Sequence, residues 1–479
     1  MINLVLIFIF VPLAVGFILL LLSAQRRLSW ALSCLVLAAL AAAAFILPQD
    51  LVFEFRKNQY EIRTGLVLLG RSFVLPSSFL TFCGLTYITG FLWSLCSPLF
   101  KIKANFPAMS LIIPAMLVMM VTVEPFLYAA VIFEMVALLS IPLLLQKETR
   151  TLRGLLHFIV LQTIAMTLVL LSSWMLAGVS TVQSSNPMIL RGTAMVLFGF
   201  VLWMPAFPFH VWIAELFKEN HPWPVSFLLT GMQTVFPLLL LVFLDRFAWL
   251  RNLPGLFESF RLLGSIIIAL AGLFASFQIN YRRQSAYLFL NETGYTLLII
   301  GLAPGAGFNT LGLIFLPRII SFWFWSFCLA ILETRYPGAS PDLSKLNGFI
   351  LNEPLLSLGM VLAQINLMGM PLLSLFPAKR HIWFSLPMAN PADLLPIALG
   401  TLGMMLFILR MIMAMVSSKD PVKDMPLIEQ ELPHQRLTLA ALLLGMLMIL
   451  IFGFFPHLFL NRFLEIVDPF AHLAGALSQ

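Results

Sequence analysis

The sequence predicts an all-α polytopic membrane protein of about fourteen transmembrane helices, two of them broken, with a small external β-hairpin. Three observations predict it. Of the 479 residues 61% are hydrophobic and only 10% are charged, and the mean hydropathy is +0.99, more apolar than a soluble core requires. Apolar runs of about 18 to 25 residues recur between short polar breaks, each long enough to cross roughly 30 Å of hydrocarbon as a helix. Two of these runs also share one interruption, WMPAFPFHVW (Trp203 to Trp212) and GMPLLSLFPAKRHIW (Gly369 to Trp383), in which Met-Pro precedes Phe-Pro, a basic residue or histidine, and a tryptophan.

Taken in order, the first span covers approximately 2–24; without a basic start or a small-residue cleavage site it reads as a retained helix, not a signal peptide. The second covers 29–47, and the alternating stretch Arg56 to Leu75, with Gly65 and Gly70, reads as the external hairpin. The following spans are approximately 72–96, 107–124, 126–146, 154–178, 189–212, 222–244, 259–280, 285–303, 307–333, 348–376, 393–416 and 434–457. Gln25–Arg26–Arg27, Lys101 with Lys103, Lys147 to Arg153, and Arg282–Arg283 all follow odd-numbered spans, which puts these loops in the cytoplasm and both termini outside. The basic hairpin follows an even span and departs from that rule, which longer loops obey poorly. The polar segment 417–436 is a cytoplasmic loop suited to contact with a partner, and the tail from Leu460 reads as a short amphipathic helix on the outer surface.

The net charge of +7 reports the lysines and arginines that set topology, and no nucleic-acid partner is implied. Cys34, Cys83, Cys96 and Cys328 lie in or at the ends of apolar spans without metal-site or disulfide spacing. No phosphate-binding loop, dinucleotide fingerprint, zinc motif or iron–sulfur spacing occurs, so the sequence implies no cofactor and no redox centre of its own.

Proline inside a helix removes a backbone hydrogen bond and frees carbonyls that must be satisfied by neighbouring helices or water. One such helix is a common packing kink. The recurrence at Pro205 and Pro208, then at Pro371 and Pro377, points further, because interrupted helices at corresponding places in two halves mark inverted repeats with a transport site at the break.

Four stretches, in order, resemble the antiporter-like proton-channel subunits of respiratory complex I, a family shared with membrane-bound hydrogenases and multisubunit sodium/proton antiporters. VIFEMVALLSIPLLL (Val131 to Leu145) is similar to the family's fifth helix, with its glutamate at Glu134. PAFPFHVWIAELFKENHPWPVSFLL (Pro205 to Leu229) resembles the P-F-H-x-W stretch and the start of helix eight. YRRQSAYLFLNETGY (Tyr281 to Tyr295) resembles the opening of helix ten, and LMGMPLLSLFPAKRHIW the helix-twelve stretch, with Lys379 at the family's lysine. The resemblance implies inverted five-helix repeats at spans four to eight and nine to thirteen, with peripheral helices in 1–106, the repeats in 107–258 and 259–416, and a loop, last helix and tail in 417–479.

The departures are informative. The family's helix-seven lysine falls at Trp203, its helix-eight basic residue at about Thr234, and its helix-ten histidine at Glu292. The first half keeps Glu134 but not its cationic partners.

Charged residues at membrane depth cost about 2.5–3.5 kcal/mol each on insertion scales and so are functional candidates. Glu134 is either a channel residue or a relic, and His210 either a proton relay or a partner for freed carbonyls. His157 reads as interfacial. Glu292, Arg318, Lys379 and Arg410, on successive or nearby helices, form either a proton wire of alternating charge or ion pairs that lock helices; Lys379 and His381 have snorkelling to the interface as an alternative. The aromatic run Ser321 to Phe327 is expected to face lipid or a partner subunit.

The resemblance implies a non-redox membrane-arm subunit of a complex I-type oxidoreductase in a bacterial-type inner membrane. It would take part in redox-driven translocation of protons, with sodium as the alternative ion, through the second half only. Its partners would be other membrane subunits and the lipid bilayer. A non-conducting scaffold and a component of a cation/proton antiporter are the rivals.

Overall fold

The computed structural model describes residues 2–47, 52–55, 58–68, 70–100, 102–126, 128–145, 152–176, 187–247, 250, 253, 255–302, 307–337, 340–417, 435–470 and 472–475. The 418–434 part of the polar loop and Lys147 to Thr151 lie outside the described residues.

Helices dominate. After a π-helical turn at Leu6–Phe10 come α1 (Val11–Leu21), α2 (Arg26–Ile46), α3 (Leu80–Cys96), α4 (Phe106–Thr122), α5 (Tyr128–Leu144), α6 (Arg153–Leu176), α7 (Pro187–Trp203), α8 (Val211–Glu219) and α9 (Pro222–Arg246). They are followed by α10 (Leu256–Ser276), α11 (Tyr281–Gly301), α12 (Gly307–Arg335), α13 (Phe349–Asn352), α14 (Pro354–Met368), α15 (Phe376–Ala389), α16 (Leu394–Val416), α17 (Gln435–Phe454), α18 (His457–Leu464) and α19 (His472–Gly475). Among the described residues, eight helices are long and apolar enough to cross a membrane by length and composition, and five further apolar helices are shorter.

There are two short sheets: in one, Asn58–Arg63 pairs antiparallel with Val52–Phe55 and parallel with Ile2–Asn3, ahead of α1, and the other lies between α2 and α5. The strands Gly65–Leu68 and Arg71–Val74 pair antiparallel, Gly65 opposite Val74, and the second also pairs with Val123–Glu124. The third span therefore begins later than the apolar run suggested: residues 71–74 are strand, and α3 starts at Leu80. Alternating Phe73 and Val74 are apolar enough to be read into a helix, but their partners across the sheet decide otherwise.

The helices α9 and α12 form the centre and are buried almost end to end, whereas α2, α6, α10, α16 and α17 each keep one apolar face outward. Between helices in lipid the gain comes from close packing, not from water exclusion. The contact of α10 with α16 shows it: a Cβ on Gly272 would overlap the Gly400 carbonyl, so the two backbones touch there. The aromatic run in α12 does not face outward. Trp323, Phe324 and Trp325 are fully buried; the Trp323 indole donates to the Leu92 carbonyl at 3.0 Å, the Trp325 indole to the Ser285 hydroxyl at 2.9 Å, and Phe322 stacks on Phe289 at 3.7 Å. Burial within the chain's own bundle satisfies both indole N–H groups, which lipid would leave unpaired.

In the tail, α18 carries an exposed Arg462 beside buried Phe463, and Ile466, Val467, Phe470 and Leu473 beyond it are buried against the bundle.

Candidate functional site

Both proline-marked stretches leave a gap between helices. Pro205 and Pro208 lie between α7, which ends at Trp203, and α8, which begins at Val211. Pro371 lies between α14, which ends at Met368, and α15, where Pro377 takes an early position that needs no amide donor. Apolar runs had put the ends of these spans at 212 and 376; the helices instead resume after each gap and continue to Glu219 and Ala389.

The second gap is held by polar groups. Gly369 caps α14 with φ 78°, and Leu372 within the gap has φ 71°, a left-handed conformation that costs a branched residue about 1–2 kcal/mol. Asn366 accepts from the Ser374 hydroxyl at 3.1 Å and the Leu375 amide at 3.3 Å, while its own amide donates to Ser321 on α12 at 2.6 Å. A helix end leaves carbonyls without intrahelical donors, and the Leu367 carbonyl is one of them. Lys379 reaches back from α15 and donates to it at 2.5 Å.

The same ammonium lies 2.7 Å from Oε1 of Glu292, in the middle of α11, and 4.0 Å from the centre of the Tyr295 ring. Lys379 is 1% exposed and Glu292 0%, so Lys379 is turned into the bundle and does not snorkel. Arg318, also buried, follows Pro317 in α12 and donates to the Thr296 hydroxyl at 2.6 Å and to the Gln233 carbonyl of α9 at 3.1 Å. Thr296 donates to the Glu292 carbonyl at 2.9 Å, and Gln233 donates to the Phe289 carbonyl at 2.7 Å and to the Thr293 hydroxyl at 3.1 Å. Four helices thus meet at one carboxylate and two cations, and the second oxygen of Glu292 has no hydrogen-bond partner among the described residues.

Lys379, Glu292 and Arg318 are brought together; the other candidates are not. Arg410 on α16 donates to the Ser276 carbonyl at the end of α10. His381, two residues beyond Lys379, bonds Thr310 at 2.6 Å. Glu134, half-buried on α5, accepts from Thr163 on α6 at 2.7 Å. His210 lies in the first gap, its ring against Phe207, Phe274 and Tyr287. Trp203 packs fully buried among Phe133, Phe200 and Phe236, the last stacked at 6.0 Å, and Thr234 spends its hydroxyl on the Thr230 carbonyl. Trp203 thus stands within a cluster of rings.

Tyr295 and Thr296 were not among the sequence candidates, yet they sit three and four residues after Glu292, the spacing that shares a helix face. A further buried group was also missed. Glu333, near the end of α12, pairs with Arg282 and lies 3.7 Å from Nε2 of His221, whose Nδ1 accepts from the Trp223 amide at 3.2 Å. Burial, and then the Arg282 cation, push the His221 imidazole down to about 3, so it stands neutral with its proton on Nε2. Outside this cluster His157, more than half exposed, bonds Glu215 at 2.7 Å.

The sequence profile of the family described as NADH:quinone oxidoreductase/Mrp antiporter, TM matches residues 151–405. Among curated proteins the chain is 26% identical over 225 residues to NADH-quinone oxidoreductase subunit N of Parvibaculum lavamentivorans, covering 47% of this chain and 45% of that one. It is 28% identical over 279 residues to subunit N 2 of Roseiflexus castenholzii, covering 56% and 54%. The matched region spans about half the length of these relatives. In fold it is similar to a chain in the Mrp complex of a Dietzia species, with TM-score 0.77 at 18% identity over 99% of both chains. A chain of respiratory complex I from Thermus thermophilus with bound NADH gives TM-score 0.79 at 17% identity, covering 98% of this chain and 99% of that one.

Proposed function

The chain belongs to the NADH:quinone oxidoreductase/Mrp antiporter transmembrane family, and on that premise we propose that it is an antiporter-like membrane-arm subunit of a complex I-type oxidoreductase that moves protons through its second half only. The observation that carries this reading is the buried Lys379–Glu292 pair at 2.7 Å, with Arg318 bonded to the same helix turn, beside a broken helix. A proton leaving the ammonium weakens the hold on the carboxylate, and one reaching the carboxylate weakens the hold on the ammonium, so the two protonation states are coupled. Charge from a neighbouring subunit can tip that balance, and water at the break can supply and remove the proton. His381 with Thr310 gives a polar continuation along α15. In the first half the ring cluster at Trp203 offers no group that exchanges a proton.

The fourteen-span count, the five-helix inverted repeats at α4–α9 and α10–α16, the divisions at 106, 258 and 416, both termini outside a bacterial-type inner membrane, and assembly with other membrane subunits belong to the same proposal. Proton pumping by vesicles holding the whole complex, normalised to assembled subunit, tests it. Glu292→Gln and Lys379→Met each lower pumping at least tenfold, while Glu134→Ala changes it less than twofold. Full pumping by both second-half variants leaves the scaffold reading, and a large loss in Glu134→Ala returns conduction to the first half.

A further inference from the structure

Away from the charged centre, a cleft of about 210 Å³ opens between the start of α2 and the connection from α3 to α4. Its walls include Arg26, Arg27, Lys103, Trp30, Ser97 and Phe100. Among the described residues, three cations line it and no carboxylate does. Arg26 and Arg27 are exposed and enter no ion pair among the described residues, while Lys103 gives one of its three donors to the Pro142 carbonyl at 3.0 Å. Trp30 is fixed at the rim by its indole bond to the Ser94 carbonyl at 3.0 Å. Directly after the arginine pair, Leu28, Leu32 and Leu35 form an exposed apolar stripe along α2 at one-face helical spacing.

We propose that this cleft binds the phosphate headgroup of an anionic phospholipid, with an acyl chain lying along the leucine stripe. Unpaired arginines make forked hydrogen bonds to phosphate oxygens, and a basic pocket between helices at the membrane boundary is the general form of a lipid-headgroup site. A tryptophan at its rim suits the headgroup layer, where one edge of the ring is wet and the body apolar. The stripe separates a lipid from free phosphate: only a molecule with a hydrocarbon chain uses both features.

The test measures phospholipid retained by the full chain, purified with its complex in mild detergent and reconstituted with either phosphatidylglycerol or phosphatidylcholine. Arg26→Gln, Arg27→Gln and Lys103→Gln each lower phosphatidylglycerol retention, by about fivefold per charge removed, and leave phosphatidylcholine unchanged. Arg191→Gln and Arg436→Gln, cations elsewhere on the chain, leave both unchanged. Excess inorganic phosphate fails to displace the lipid. Equal retention by the cleft variants, equal loss in the two distant variants, or displacement by phosphate alone overturns the proposal. A photoreactive phosphatidylglycerol, used on the unaltered chain and so independent of variant folding, labels the peptides holding Trp30 and Phe100. Labelling elsewhere, or cross-linking of Arg27→Cys to an acidic segment of a neighbouring subunit in place of lipid, also overturns it.

Discussion

At the scale of single residues, Glu292 and Lys379 meet where neither can be hydrated by bulk water, so each is the other's main stabilisation. Removing one partner of such a pair costs about 3–5 kcal/mol because the remaining charge is stranded. Thermal unfolding of the solubilised complex is expected to show Lys379→Met and Glu292→Gln each lowering the midpoint, and the double variant losing less than the sum. Additive losses would mean the two groups do not interact. His221 gives a second residue-scale expectation. Its folded pKa of about 3 lies below the unfolded value near 6.5, so the unfolded chain binds the proton first. The stability it contributes is present above about pH 6.5 and declines as pH falls toward 3. His221→Asn keeps a side-chain acceptor for the Trp223 amide and removes the titration, so the unfolding midpoint of this variant should fall less between about pH 7 and pH 5 than that of the unaltered chain. Parallel pH profiles would refute the assignment.

At the scale of elements, the gap between α14 and α15 is built around Gly369. Its φ of 78° disfavours any side chain, and the methylenes of Lys379 lie against its Cα, the nearest 2.5 Å from where a Cβ would stand. Gly369→Ala therefore strains the cap and displaces the ammonium together, although no titratable group changes. Gly255, also at φ 78° but with open space around it, separates the two effects. Both alanine variants should lose about 1–2 kcal/mol from backbone strain, but only Gly369→Ala should also lower pumping several-fold. Equal pumping by the two would detach the cap from the transport step. The residue types at both gaps were visible in the sequence as paired prolines. That Asn366, Ser374 and Ser321 close the second one was not, because those bonds join α12, α14 and the gap itself.

At the scale of the whole molecule, the two proposed halves differ: Glu292, Lys379 and Arg318 gather in the second, and rings pack around Trp203 in the first. Trp203→Lys tests that inequality, since it sets an ammonium among Phe133, Phe200 and Phe236 with no carboxylate in the ring cluster, at a cost of about 2.5–3.5 kcal/mol. Reduced assembly with no gain in pumping is expected; a gain would show that the first half needs only its cation. The sequence by itself determined the membrane class, because runs of apolar residues long enough to cross a bilayer have no other economical place. It also determined the family resemblance, through four stretches in fixed order, and a short list of buried charges, because so few charged residues occur at depth that each stands out. Only the tertiary structure decided which of those charges meet. Glu292, Arg318 and Lys379 come from three helices separated by gaps and turns, and their encounter depends on how α9, α11, α12 and α15 cross. Arg410, equally conspicuous in sequence, ends on the Ser276 carbonyl instead. The inward burial of the Trp323–Trp325 run had the same cause: composition states what a side chain can tolerate, and packing of the central helices states what surrounds it.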